Sequence, residues 1–275
     1  MQISLQHIAI HPLLKEHIDK LWVFENNQRI PDASTKMIVP DGKVKLVIPF
    51  RNGLAGQRQG MYELSRQHQI TLIGINDAPF VVDAERDAPS GIIGVEFTSC
   101  GAYRFFNLRQ SECKNRILNL GEILGDAIHD IEMRIAEQKK PDDKIRLLQS
   151  YLISQFAKTQ PDTVFDFCVQ QIRKTNGGIS IKQLEKSTGY SSRWLNMKFE
   201  ERIGMSPKSL CAVIRFQTIY RALLLHPQSI HQNKSYYNLY YDQSHFIREF
   251  KRFTGTSPAK FEARITEFGK IFSKQ

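Results

Sequence analysis

The sequence predicts an α+β protein, in which a β-rich N-terminal domain, a small antiparallel sheet or barrel with flanking helices, precedes an all-α domain. Three observations lead to this prediction. Apolar residues occur in short strand-like runs up to about residue 120 and then recur at the helical period. Residues 176–275 hold 16 Lys and Arg against 7 Asp and Glu, so +9 of the formal net charge of +10 lies there. Part of this basic region is repeated 51 positions later: Leu195, Phe199, Gly204, Ser206 and Pro207 recur as Phe246, Phe250, Gly255, Ser257 and Pro258.

The first predicted domain, residues 1–120, carries the strand pattern. Pro12 to Trp22 places its apolar residues on one face and predicts a short amphipathic helix. Pro40-Asp41-Gly42 predicts a turn ahead of the first of several strands. A short helix over 101–108 is expected to close the domain. Short apolar runs bounded by Gly, Pro or Asp predict strands at residues 44–48, 70–75, 80–82 and 92–97.

Residues 121–158 are predicted to connect the two domains. Apolar stripes over 123–135 and 145–156 predict two helices, and Pro141-Asp142-Asp143 separates them. Such stripes either pair between chains as a dimerisation element or pack against the sheet of their own domain, and the sequence favours neither interpretation.

Residues 159–275 form the second predicted domain, which begins with a helix over 162–175 and a helix-turn-helix motif. Ser180 is expected to cap a helix that ends at the turn Thr188-Gly189-Tyr190, and Ser191 or Ser192 begins the next helix. Guanidinium and carboxamide groups near the N-terminus of a helix can pair with base edges in the major groove. The outward residues of this helix are therefore predicted DNA contacts: Ser192, Arg193, Asn196, Met197 and Lys198.

A long apolar linker helix is predicted from Ser206-Pro207 to about Leu225, and it leads to a second copy of the motif. This copy consists of a helix over about 229–238, a turn, and a helix capped by Asp242. Its outward residues are candidates for base contacts, and its last two cations are directed toward phosphate. The residues assigned to these roles are Gln243, Ser244, Ile247, Arg248, Lys251 and Arg252.

The repeated segments resemble a known family of DNA-binding domains. Ser180-Ile-Lys-Gln-Leu through Ile-Gly-Met-Ser-Pro207 resembles the first half of an AraC/XylS-type domain, and Tyr241-Asp-Gln-Ser-His-Phe-Ile-Arg-Glu-Phe-Lys-Arg-Phe-Thr-Gly-Thr-Ser-Pro258 is similar to that family's signature segment. The resemblance covers residues 160–268 and implies a transcription regulator with two recognition helices and a central linker helix. It also implies that DNA is read by outward residues of both helices, which here are Arg193, Asn196, Met197, Gln243, Ser244 and Arg248.

Two positions depart from the family pattern. Glu185 stands where the family favours a small residue, and Leu239 replaces the glycine of the second turn. A left-handed backbone conformation costs leucine roughly 1 kcal/mol more than glycine, so either this turn is reshaped or the preceding helix is remodelled. The N-terminal half resembles, more loosely, uncharacterised β-rich domains found ahead of this module, through Pro40-Asp-Gly42 and residues 92–97. That resemblance implies small-molecule sensing or dimerisation.

The chain shows no pattern typical of an enzyme. Its cysteines form no C-x-x-C pair and its histidines lack metal-ligand spacing, so we expect no catalytic residue, no metal and no cofactor. The same absence argues against a DNA-repair alkyltransferase fused to this module, because such a protein needs a zinc-held acceptor cysteine. Cysteines in apolar surroundings, no signal-peptide pattern and no apolar run of roughly 18–20 residues predict a cytoplasmic protein with no membrane partner.

The resulting hypothesis is a sequence-specific transcription regulator that binds double-stranded DNA. Its N-terminal domain would bind a small-molecule effector or form a homodimer. The two recognition helices are expected to lie about 34 Å apart, one turn of duplex. The alternative is a helical protein-interaction module without sequence-specific DNA binding. The sequence does not identify the operator or the effector, and it does not distinguish an activator from a repressor.

Overall fold

The computed structural model describes residues 3–27, 37–58, 61–84, 88–225 and 239–262. Its strands are β1 (Ile3–His7), β2 (Ile18–Asn26), β3 (Met37–Ile38), β4 (Lys45–Arg51), β5 (Leu54–Arg58), β6 (Met61–Ser65), β7 (Thr71–Ile73), β8 (Phe80–Ala84), β9 (Ser90–Phe97) and β10 (Ile117–Asn119). Its helices are α1 (Gln110–Cys113), α2 (Leu120–Leu124), α3 (Asp126–Glu137), α4 (Pro141–Phe156), α5 (Thr163–Lys174), α6 (Ile181–Thr188), α7 (Ser192–Arg202), α8 (Pro207–Leu225), α9 (Gln243–Thr254) and α10 (Pro258–Glu262). The predicted α+β class, with strands first and helices after, is confirmed.

The strands form two antiparallel sheets. One has the order β1-β2-β9-β4-β7-β10 and the other the order β3-β8-β5-β6. Successive side chains of a strand point to opposite faces, so the six-stranded sheet contributes to two cores. On β2, Trp22 and Phe24 pack with Phe80 of the other sheet in a small core, whereas Leu21 and Val23 join the main core.

The main core extends from the six-stranded sheet into the C-terminal helices. The turn at 40–42 is one point where the two halves meet. Gln217 Nε2 of α8 donates a 2.6 Å hydrogen bond to the carbonyl oxygen of Pro40. A Cβ atom added to Gly42, whose φ is +72°, would lie 3.1 Å from Leu210 Cδ1. The glycine thus allows both the turn and the close approach of α8.

The helix predicted over Pro12 to Trp22 is wrong. A 3-10 turn covers Pro12–Leu14, and the chain then enters β2 at Ile18. Strand β2 lies between β1 and β9 and has a core on each face. Apolar residues therefore occupy consecutive positions of the strand, and in the sequence this pattern can be mistaken for the apolar face of a helix. The closing helix expected over 101–108 is likewise only a 3-10 turn, Ala102–Arg104, followed by α1.

The predicted strands at 44–48, 70–75, 80–82 and 92–97 are confirmed as β4, β7, β8 and β9. The helix expected from Gly121 is split into α2 and α3 at Gly125, whose φ is +69°. The apolar stripes of α3 and α4 are buried within the chain itself, which agrees with packing in their own domain rather than pairing between chains. Their buried apolar residues are Ile128, Ile131, Ile135, Ile145, Leu148 and Leu152.

A polar junction anchors α5 to the end of the β-rich half. The Tyr103 hydroxyl donates to Asp166 Oδ1 and Oδ2 at 3.0 and 3.1 Å, and it accepts from the Asp162 backbone N–H at 2.9 Å. Burial raises the pKa of Asp166, although the Tyr103 hydroxyl opposes that shift. A half-buried carboxylate depends on such donors, because an unsatisfied one carries a desolvation penalty.

Removing this hydroxyl should destabilise the protein. In Tyr103→Phe, Asp166 and the Asp162 N–H lose a partner, so we expect the free energy of unfolding to fall by about 1–3 kcal/mol. Urea denaturation of the full chain measures this. Tyr241→Phe is the matched control, since Tyr241 is 94% exposed. Equal stability of the two variants would contradict the role assigned to Tyr103.

Candidate nucleic-acid interface

Helix α7 is the first candidate recognition helix, and it follows α6 after a glycine turn. The preceding helix α6 has a capping box between Ser180 and Gln183 and ends at Gly189, whose φ is +76°. The Trp194 N–H then donates to Ser191 Oγ at 3.3 Å, which makes Ser191 the N-cap of α7. The predicted helix, glycine turn and helix are therefore present.

Glu185 gives the first motif a contact that the sequence did not reveal. Its Oε1 accepts a 2.5 Å hydrogen bond from the backbone N–H of Ser192, the first residue of α7. The first N–H groups of a helix have no intrahelical partner, and a carboxylate is favourable at that end. The departure from a small residue at this position is explained by this bond, which joins α6 directly to the recognition helix.

The buried and outward faces of α7 agree with the prediction. Leu195 and Phe199 are fully buried. Arg193, Asn196 and Met197 are exposed along the opposite side of the helix. A guanidinium, a carboxamide and a thioether thus lie together on one open surface near the N-terminal end of α7.

Two other cations of α7 turn toward the protein. Lys198 Nζ and Arg202 Nε lie 3.2 and 3.1 Å from Asp162 Oδ2. Asp162 is also the N-cap of α5, where its Oδ1 accepts from the Phe165 N–H at 3.2 Å. Burial alone would raise the pKa of Asp162, but the Phe165, Lys198 and Arg202 hydrogen bonds outweigh it and lower that pKa. Lys198 is thus placed at the edge of the open face, with its charge partly neutralised.

Helix α9 is the second candidate recognition helix and repeats the construction of α7. The His245 N–H donates to Asp242 Oδ1 at 2.6 Å, so Asp242 caps α9 as Ser191 caps α7. The helix ends at Gly255, whose φ is +75°, and the first copy has Gly204 with a φ of +83°. Its outward residues are all exposed: Gln243, Ser244, Ile247, Arg248, Lys251 and Arg252.

One of these exposed cations contacts the N-terminal half. Arg252 Nη2 lies 3.4 Å from Asp77 Oδ2. Asp77 also pairs with Lys114 at 2.8 Å and accepts from Asn115 Nδ2 at 2.8 Å. Burial alone would raise the pKa of Asp77, but these hydrogen bonds and the Arg252 charge lower it. The C-terminal end of α9 is therefore in contact with an ionised carboxylate of the β-rich half.

Aromatic residues flank both recognition helices; the Tyr-rich turn that includes Tyr241 is a candidate for packing on sugar-phosphate, and Tyr190 and Trp194 add a second aromatic site. The ring of Tyr190 stacks on Trp194 with centroids 3.9 Å apart and an interplanar angle of 16°. Tyr190 is exposed, and Tyr241, which holds the same position in the second copy, is 94% exposed. The 51-residue offset itself was the signal that could have identified this pair.

The first helix of the second motif, expected over 229–238, lies outside the described residues. Leu239 is described as a half-buried residue packed against the core. Within the described part of the chain, His, Cys, Asp and Glu form no group of three that could hold a metal ion. In the same part, none of the helices combines the length and apolarity that crossing a membrane requires.

Two protein families match the chain. Residues 6–119 match the family described as Domain of unknown function (DUF6597). Residues 184–264 match the family described as Helix-turn-helix domain, and that range includes α7 and α9. No curated protein matches the sequence.

Several solved structures also match. An apo variant of ToxT from Vibrio cholerae strain SCE256 has 13% identity, covers 90% of this chain and 97% of that one, and gives a TM-score of 0.47. ToxT from Vibrio cholerae O395 bound to (E)-4-(8-methylnaphthalen-1-yl)but-3-enoic acid has 13% identity, 96% and 100% coverage and a TM-score of 0.47. A Cupin_2 domain of an XRE family transcriptional regulator from Enterobacter cloacae has 9% identity, 36% and 98% coverage and a TM-score of 0.28.

The lowered pKa of Asp162 predicts a pH dependence of stability. A carboxylate with a depressed folded-state pKa stabilises the protein fully above its unfolded-state pKa of about 4, and this contribution is lost as pH falls through the folded-state pKa. We expect Asp162→Asn to be less stable than the unaltered chain at pH 7, and the difference to shrink below about pH 4. Urea denaturation at both pH values measures it. A difference that stays constant with pH would contradict the ion pairs.

Proposed function

We propose that this chain is a helix-turn-helix transcription regulator of the AraC type, and that it reads two successive major-groove segments of one DNA face with α7 and α9. The observation that carries this proposal is the duplicated recognition unit. Both helices begin at a side-chain N-cap, end before a glycine with positive φ, and expose one polar face. Tandem units of this kind suit one monomer spanning about one turn of duplex, roughly 34 Å.

The open face of α7 supports base reading by its N-terminal half. Arg193 can donate to guanine O6 and N7, and Asn196 can pair with adenine N6 and N7. Met197, which is 55% exposed, offers an apolar contact to a thymine methyl group. Ser192 lies at the N-terminal end of the helix beside them, and Lys198 lies at the edge of this face, where we assign it to phosphate.

The open face of α9 carries different side chains, which supports recognition of a second, different base sequence. Gln243 and Ser244 lie in its first turn, where we assign them to base edges, with Ile247 and Arg248 one turn further on. Lys251 and Arg252 lie near the C-terminal end, where we assign them to phosphates. Together with the net charge of +9 in residues 176–275, these cations support an affinity that falls steeply as salt rises, because phosphate contacts release counterions.

We further infer that the β-rich domain controls DNA binding through a small-molecule effector, or through a homodimer as the alternative. The support is the contact of that half with the linker helix and with the second recognition helix: Pro40 and Gly42 lie against α8, and Asp77 lies against Arg252 of α9. We keep the division into domains 1–120, 121–158 and 159–275 as part of this proposal. Free cysteines, as suit a reducing compartment, support a cytoplasmic location.

Selection of duplexes from a random library with the full chain tests the proposal. A bound sequence with two recognised segments and steep salt dependence is expected. On that duplex, Arg193→Ala should lower the affinity by about 1–3 kcal/mol, while binding to random DNA changes much less. Arg146→Ala removes an exposed arginine of α4 and is the charge-matched control. Equal losses on both duplexes would make Arg193 a phosphate contact, and no enrichment with weak salt dependence would favour the protein-interaction module.

The contact of Asp77 with Arg252 predicts a gain of DNA affinity on removal of the acid. Asp77→Asn removes a carboxylate that competes with phosphate for Arg252, so the affinity should rise about two- to fivefold, as expected for an ion pair in which the arginine is half-exposed. Asp130→Asn, at an exposed position of α3, makes the same change of net charge elsewhere. Titration of the selected duplex with both variants measures the effect. An equal rise with both would show only a general charge effect.

A further inference from the structure

Arg215 lies at the middle of α8, between the two recognition units. Among the residues that the structure describes, it is the cation of α8 that contacts both units. Its side chain is only 15% exposed. A guanidinium that has left water needs several polar partners, since a buried unpaired charge is strongly destabilising. The polar partners of Arg215 come from both recognition units.

Arg215 contacts the first unit through the turn that precedes α6. Its Nη1 donates a 2.7 Å hydrogen bond to the carbonyl oxygen of Gly177, in the turn between α5 and α6. That turn lies directly on α8, because a Cβ atom at Gly177 would be 2.2 Å from the Cys211 carbonyl oxygen. Gly177 also has a φ of +74°, so both its backbone and its surroundings require glycine.

The same guanidinium also contacts the second unit. Its Nη2 lies 3.3 Å from Oε1 of Glu249, a residue of α9 whose side chain is 14% exposed. His245 Nε2 of the same helix lies 3.3 Å from the same oxygen. The guanidinium also lies 5.6 Å from the ring centroid of Tyr240, just before α9. Glu249 and Tyr240 of the second unit thus both contact this one side chain.

The repeat shows that this contact is specific to the second unit. Glu249 corresponds by the 51-residue offset to Lys198, which carries the opposite charge and pairs with Asp162 instead. Apolar contacts also join α8 to α9, with Phe216 5.6 Å from Phe250 and 5.0 Å from Phe253 between ring centroids. Such contacts hold the helices together but are not directional, whereas a planar guanidinium with two partners fixes orientation.

We propose that Arg215 is a positioning residue that sets the angle and separation of α7 and α9, and thereby the spacing between the two DNA segments that the chain accepts. This inference rests on the proposed function. Arg215 does not touch DNA in this account. It acts through Gly177 and Glu249 on the units that do.

The experiment uses the full chain and the duplex that the unaltered protein selects. A spacing series inserts or removes one to five base pairs between the two recognised segments, each step changing the separation by about 3.4 Å and the rotation by about 35°. The unaltered protein should lose affinity steeply on the altered spacings. In Arg215→Met, the penalty for altered spacing should shrink by about tenfold, within the range of coupling between contacting residues.

Control variants separate this role from simple loss of stability. Arg221→Met removes an exposed arginine from the same helix and should leave the spacing penalty unchanged. Arg215→Met combined with Glu249→Met removes both buried charges, which restores folding when a single removal does not. The double variant should still show the reduced spacing penalty. Arg215→Lys keeps the charge but cannot contact both partners in the planar geometry of a guanidinium. Its spacing penalty should therefore be reduced as in Arg215→Met.

The outcomes separate the two proposals. A full spacing penalty in Arg215→Met and in the double variant overturns the positioning role while leaving DNA reading intact. Complete rescue by Arg215→Lys overturns the requirement for a bridging guanidinium. If the unaltered chain selects no duplex at all, the proposed function fails and the role of Arg215 fails with it.

Discussion

The burial of α8 is the constraint on which the arrangement of the C-terminal half depends. A helix that is apolar around most of its circumference is stable only when other elements cover it. Helices α5 and α7 pack on one part of α8, α9 packs on another, and the turn at 40–42 covers a third. The relative placement of both recognition helices and of the β-rich half therefore follows from one element. Its fully buried apolar residues are Leu210, Val213, Phe216, Ile219 and Leu223.

The two recognition units share a backbone plan and differ in their polar anchors. Equivalent N-caps and glycine ends give α7 and α9 the same local structure. The exchange of Lys198 for Glu249 then directs the two helices to different partners, Asp162 in one case and Arg215 in the other. The duplication therefore explains why the two helices have the same local structure. The difference between the charges at positions 198 and 249 explains why each helix is anchored by different ion pairs.

Features that depend on neighbours in the chain could be predicted from the sequence. The capping box at Ser180 and the left-handed glycines at 189, 204 and 255 are of this kind, because their physics is local. Strand β2 could not be predicted in the same way, since burial on both faces removes the alternation that marks a strand. The contact of Gln217 with Pro40 joins residues 177 positions apart, so no local sequence pattern predicts it. The exposed candidate DNA contacts were found because a solvated polar face opposite an apolar one is itself a local signal.

Methylation interference at guanine N7 tests the central claim most directly, because N7 lies in the major groove. The measurement uses the full chain and the duplex that it selects. Two groups of interfering guanines about ten base pairs apart, on one face of the duplex, are the result expected for α7 and α9 in successive major-groove segments. A single group, or none despite tight binding, would show that the two helices do not read DNA together.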